Sequence, residues 1–158
     1  HPIVLLVRQG SPGEAGGAYA MTAPGYEGRA LQGYDGEQRR LVIPQEEAYL
    51  WLVEIFEAPE AFEGFSVTTM GQVMKSDAYF SPNTFSPARQ LMTCCAADLY
   101  PVGLVCQYPD TDSLEEGAWV LVTGELILLP FDVYLEPRIQ VESVSPSLPP
   151  REPYLFLY

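Results

Sequence analysis

Apolar and polar positions along this chain change rhythm near residue 64, and the change separates a helix from a series of strands. Tyr49, Leu52, Val53 and Phe56 recur at the i, i+3, i+4, i+7 spacing of one helical face. Pro44 suits a first helical turn, where its missing N–H is not needed, and Glu46 and Glu47 lie where acids complement the helix dipole. Pro59 ends the run. The spacing predicts an amphipathic helix over 44–58 packed on its own domain. The other reading of the stripe, with Trp51, is a groove for a partner; ordinary amphipathic packing favours the first.

Beyond Gly64 the period becomes two. Phe65, Val67 and Thr69 alternate toward Val73, with Gly71 placed for a bulge or sharp bend. Residues 84–95 read as a second strand, and Pro87 confines its start to an edge or a bulge. Val102, Leu104, Cys106 and Tyr108 mark a third. A polar break over 109–117 precedes a long strand at 118–129 with Gly124 in its middle, and Ile139, Val141 and Val144 mark a fifth. Five strands bent by glycines suit a small barrel, although a five-stranded sandwich-like sheet meets the same pattern. The fold expected is mostly β, a five-stranded OB-like Greek-key barrel with one packed N-terminal helix.

Residues 1–43 are rich in Gly, Ala and Pro, with breakers at Gly10-Ser11-Pro12-Gly13 and Gly16-Gly17. They are expected to form an irregular extension with short strands at 3–7 and 41–43. The helix and barrel then occupy 44–158. Fifteen prolines and thirteen glycines in 158 residues punctuate short elements, which also favours β-structure over a helical bundle.

Charge excludes more than it identifies. Twenty-one acids against eight bases give a net charge of −13. Nucleic-acid binding rests on neutralising phosphates with Lys and Arg, and a basic stripe cannot be built from this stock. No nucleic-acid partner is expected, and adhesion to an anionic membrane fails for the same reason. The apolar run Val4-Leu5-Leu6-Val7 is far below the roughly 20 residues of a membrane helix. The chain opens on His1-Pro2 without an initiator methionine and is expected to be a soluble piece of a longer protein.

Candidate chemistry is sparse. Three cysteines, Cys94, Cys95 and Cys106, do not form a disulfide framework, since an odd count leaves a thiol unpaired. Two thiols and the Asp98 carboxylate within five residues are plausible zinc ligands if the chain turns there. Against this, adjacent strand residues point to opposite faces, and structural zinc sites usually show C-x-x-C spacing and histidine. Buried cysteines acting as small hydrophobes are the other reading. Asp98 also suits a turn or cap, and Arg89 is a candidate partner for it. The one histidine is His1, so a Ser-His-Asp or Cys-His pair has no material in the body of the chain, and Glu115-Glu116 reads as an exposed turn. Aromatics gather at Tyr79, Phe80 and Phe85 and at Phe131 and Tyr134, where loops flank the binding face of an OB-fold. With this acidity they suit protein or small-molecule contact, and ordinary loop anchoring best of all.

Several stretches together resemble one family. Phe56-Glu57-Ala58-Pro59-Glu60-Ala61-Phe62-Glu63-Gly64 resembles the "P-x-x-(Y/F)-x-G" entry of YcgQ-type membrane proteins. Phe85 to Arg89 followed by Met92-Thr93-Cys94-Cys95-Ala96-Ala97-Asp98 is similar to their "(F/Y)-x-x-A-R…T-C-C-A-A-D" signature. Gly117-Ala118-Trp119-Val120 with Val122-Thr123-Gly124 resembles their "G-x-W-V-x-V-x-G" strand, and Pro153-Tyr154-Leu155-Phe156 their "P-Y-x-Y" end. The likeness spans roughly 41–158 and makes Arg89, Trp119 and Gly124 its motif positions. It departs at Ser86-Pro87 and Cys106.

The resemblance implies a soluble C-terminal domain of a membrane-anchored protein. It also implies a YcgR-type permease as partner, an extracytoplasmic setting, and a link to zinc supply. The function expected is therefore a non-catalytic accessory or interaction domain, with a zinc-handling domain using Cys94, Cys95 and Asp98 as the alternative.

Overall fold

A computed structural model of the protein describes residues 18–76, 78–95 and 97–157. Four short strands come first: β1 Tyr19–Ala20, β2 Ala30–Leu31, β3 Tyr34–Asp35 and β4 Arg40–Val42. A 3-10 turn, Gln45–Glu47, leads into helix α1, Ala48–Glu57, and a second at Pro59–Phe62 leaves it. Then follow β5 Ser66–Met74, β6 Thr84–Met92, β7 Leu99–Val102 and β8 Val105–Gln107. The chain ends with β9 Trp119–Phe131, β10 Tyr134–Pro146 and β11 Tyr154–Phe156. The strand expected at 3–7 lies outside the described residues.

Five strands close on themselves. β5 pairs with β6 and β9, β9 with β10, β10 with β8, and β8 with β6. Every pairing in the ring is antiparallel except β8 with β10. Among the described residues the fold is thus mostly β, a closed five-stranded barrel with one α-helix. Closure removes the open edges that a flat sheet of these strands would expose.

Two glycines allow the ring to form. A Cβ at Gly71 would run into the Pro87 carbonyl on β6, and one at Gly124 into the Gln140 carbonyl on β10. Opposite Gly124 the register of β10 slips between Val141 and Ser143, a bulge that adds the bend the long β9–β10 ribbon needs to coil around the core. Val67, Val73, Phe85, Val122, Leu126 and Ile139 fill the interior.

The helix forms where expected, but its buried face is rotated. Ala48, Trp51, Leu52 and Ile55 are buried, at the same i, i+3, i+4, i+7 spacing, whereas Tyr49, Val53 and Phe56 are only half-buried. The reason is a second cover. α1 packs toward β10 and β11 on one side, while residues 19–34 fold across it on another, so Trp51 is enclosed and donates its Nε1–H to the Gln32 carbonyl at 2.9 Å. Trp51 is core, and the partner-groove reading of the stripe falls. Tyr19, Tyr34, Phe62 and Phe65 crowd around it, with ring centroids 4.9 to 6.4 Å apart.

The strands around β6 also differ from expectation. β6 stops at Met92, three residues before Cys95. The third strand is two: β7 runs antiparallel to the C-terminal half of β6, and β8, after the break at Gly103 and Leu104, enters the barrel. Finally, β11 lies parallel to β6 on the other side from β7, so β7, β6 and β11 make a small sheet beyond the barrel. Pro87, whose ring removes a donor, sits where β6 passes from barrel to small sheet and pairs with Val73 of β5.

Candidate metal centre

Among the described residues of the turn joining β6 to β7, two backbone bonds draw the chain together. Asp98 N–H donates to the Cys95 carbonyl at 2.8 Å, and Thr93 N–H to the Asp98 carbonyl at 3.4 Å. Because the strand has ended at Met92, the alternation that would separate two adjacent side chains no longer applies. One ligand atom each from Cys94, Cys95 and Asp98 lies within 4.8 Å of the others, and all three residues are exposed. The Cys95 thiol points at the Asp98 carboxylate, Sγ 3.8 Å from Oδ2.

The donor set fits a borderline-soft divalent ion. Zinc–sulfur bonds of about 2.3 Å place tetrahedral ligand atoms roughly 3.5 to 4 Å apart, so side-chain rotation suffices to gather these three. Three protein ligands leave one tetrahedral position open. The expectation that Cys94 and Cys95 would be buried hydrophobes is overturned by their exposure. Cys106 does fit that description: it is fully buried, burial alone pushes its thiol pKa up, and its Sγ lies 3.6 Å from the Leu104 carbonyl.

The remaining motif residues support the fold around this turn. Arg89, three residues before the end of β6 and 1 % exposed, does not pair with Asp98. Its Nε and Nη2 donate to the carbonyls of Pro153 and Glu152 at 3.3 and 3.2 Å, and its guanidinium lies 5.8 Å from the Trp119 ring centroid. Arg89 and Trp119 thus tie the C-terminal strand to the barrel, while Gly124 lies inside the barrel wall, away from any donor cluster.

Two buried acids, Glu54 and Glu136, escaped the sequence reading, and the first is held by distant partners. Glu54, on α1 and fully buried, accepts on Oε1 from the Tyr19 hydroxyl at 3.0 Å and from Thr22 through its N–H at 2.9 Å and its hydroxyl at 2.7 Å. Burial, then the Glu54 contact, pushes the Tyr19 pKa up to about 12, which keeps its proton in that bond at neutral pH. An acid inside the apolar run Leu52-Val53-Glu54-Ile55-Phe56 was the available signal; its partners, more than 30 residues upstream, had none.

Residues 20–157 match the model of the DUF1980 C-terminal domain. The chain belongs to the DUF1980 family. No curated protein matches it. Among the described residues of this DUF1980 domain, no helix is long and apolar enough to cross a membrane. The cysteine environments give the domain a direct chemical signature. Ellman's reagent is expected to titrate two thiols in the native protein and the third only after denaturation, because Cys94 and Cys95 are exposed and Cys106 is not. Three fast thiols, or one, would contradict this arrangement.

Proposed function

We propose that this domain is a non-catalytic accessory module of a membrane-anchored protein, and that its exposed Cys94-Cys95-Asp98 turn takes up zinc and passes it on beside a permease-like partner. The observation that carries the reading is the exposed, three-donor turn. A structural zinc site is closed by four protein ligands, whereas an exposed site of three leaves a position through which an acceptor can enter. The chain's one histidine is His1, so neither thiol has an obvious imidazole to act as its base, which supports binding over catalysis.

A partner surface is available at the same end of the barrel, because β6 and β9 both run antiparallel to β5 and so carry the thiol turn and the β9–β10 tip in one direction. The ring places the first strand beside the second, the second beside the third, the third beside the fifth, and the fifth beside the fourth, which returns to the first. We read this as the OB-like arrangement, in which the loops after the first and fourth strands flank the binding face. At the second of these, the β9–β10 tip, Phe131, Val133, Tyr134 and Leu135 are exposed, and Val133 is 93 % accessible. Contiguous exposed apolar residues of this kind suit a protein partner, and the net charge of −13 turns such a tip away from anionic lipid.

Metal analysis of the reduced protein tests the reading. One zinc per chain is expected, with affinity falling at lower pH because protons compete for the thiolates. Cys94→Ser and Cys95→Ser are each expected to weaken binding at least about tenfold, a loss of about 1.4 kcal/mol. Their thermal melts should stay within about 0.5 kcal/mol of the parent, as surface substitutions usually do. Folded, reduced protein that binds no stoichiometric zinc would refute the proposal.

A further inference from the structure

A second site lies on the far side of Arg89, between the entry to α1 and the C-terminal strand, and it is independent of the metal turn. A cavity of about 340 Å³ opens there, near the lower end of the sizes that hold small molecules. Two of its lining residues carry buried polar atoms without a hydrogen-bond partner: the Nη1 of Arg89, a donor, and the Oε1 of Gln45, an acceptor. Arg89 uses its other two nitrogens on backbone carbonyls. Glu46 and Glu152 act on its charge only through space, and burial lowers its pKa to about 10, so it remains a buried cation at neutral pH. A buried donor left unsatisfied is costly, and a buried unpaired charge more so.

We propose that this cavity binds a small zwitterionic amino carboxylate of the α-amino-acid type, its carboxylate on Arg89 and its ammonium on Gln45. Three features specify that chemistry. The unmet donor is cationic and calls for an anionic acceptor, with which a guanidinium makes its strongest bonds. The unmet acceptor calls for an N–H donor. The lining carries two guanidiniums, Arg89 and Arg151, and two carboxylates, Glu46 and Glu152, so its formal charges cancel and a net-neutral ligand leaves them balanced. Leu155, 4 % exposed, and Phe156 provide an apolar wall for a side chain.

Titration of the whole protein with L-leucine, followed by nitrogen–proton correlation spectra, tests this site. Saturable shifts are expected at millimolar ligand for the Arg89 Nε–H and for the amides of Gln45 and Leu155. 4-Methylpentanoate lacks the ammonium and isoamylamine lacks the carboxylate, and each should bind at least about tenfold more weakly. Arg89→Ala removes the bonds that hold β11 and is a poor probe if it unfolds. Gln45→Leu leaves those bonds in place and should weaken L-leucine about tenfold in a protein whose circular dichroism is unchanged. No saturable response to L-leucine or glycine would overturn the proposal. So would an equal response to acetate or inorganic phosphate, or full affinity in Gln45→Leu.

Discussion

Gly124→Val is expected to prevent the barrel from closing. The new Cβ would occupy the space of the Gln140 carbonyl and meet Ile139 Cγ2, so β9 and β10 could not keep their register across the centre of the longest ribbon in the fold. Most overpacking costs about 1 to 3 kcal/mol because side chains shift aside. Here the obstacle is a backbone carbonyl in a hydrogen-bonded ladder, and relief means breaking the ladder. We expect a loss above about 4 kcal/mol, a large part of the stability of a domain whose total is about 5 to 15 kcal/mol. Far-UV circular dichroism with a urea titration checks it. A variant melting within about 1 kcal/mol of the parent would show that the strands can separate locally, and would sink the argument.

Trp51→Ala should cost about 3 to 5 kcal/mol, the range for truncating a buried aromatic residue. Trp51 is fully buried, and its indole packs against Tyr19 and Tyr34 of the segment that covers the helix and against Phe62 of the turn that leaves it. The Gln32 carbonyl also loses its donor, adding about 1 kcal/mol. Tyr49→Ala, two residues earlier and half-buried, is the discriminating control. If the sequence-derived face were the inner one, Tyr49→Ala would be the more damaging of the two. The structure predicts the reverse order in a denaturant series.

Periodicity conveyed the element types because each barrel strand shows one face to a dry interior and the other outward. It conveyed boundaries less well. Cysteine continues an apolar pattern, so Cys94 and Cys95 extended β6 on paper although the chain had already turned at Thr93. The helix phase was lost because two covers bury two faces, and a stripe chosen for one cover omits the other. β11 was illegible: three residues gain strand geometry only from Gln90, Leu91 and Met92, more than 60 residues away. The donor trio could be named from sequence, and its gathering rests on the turn. The partners of Arg89 could not be named, since they are main-chain carbonyls that any residue type supplies.

β6 serves the barrel with its first half and the small sheet of β7 and β11 with its second. The thiol turn therefore hangs from a bracket outside the closed wall, in the manner of a tool on a handle. Its length and donor chemistry can be rewritten by insertion or substitution at an exposed tip, where the chain tolerates change best, while the ring behind it keeps its register. Drift in what the tip binds is thereby uncoupled from drift in what keeps the domain folded.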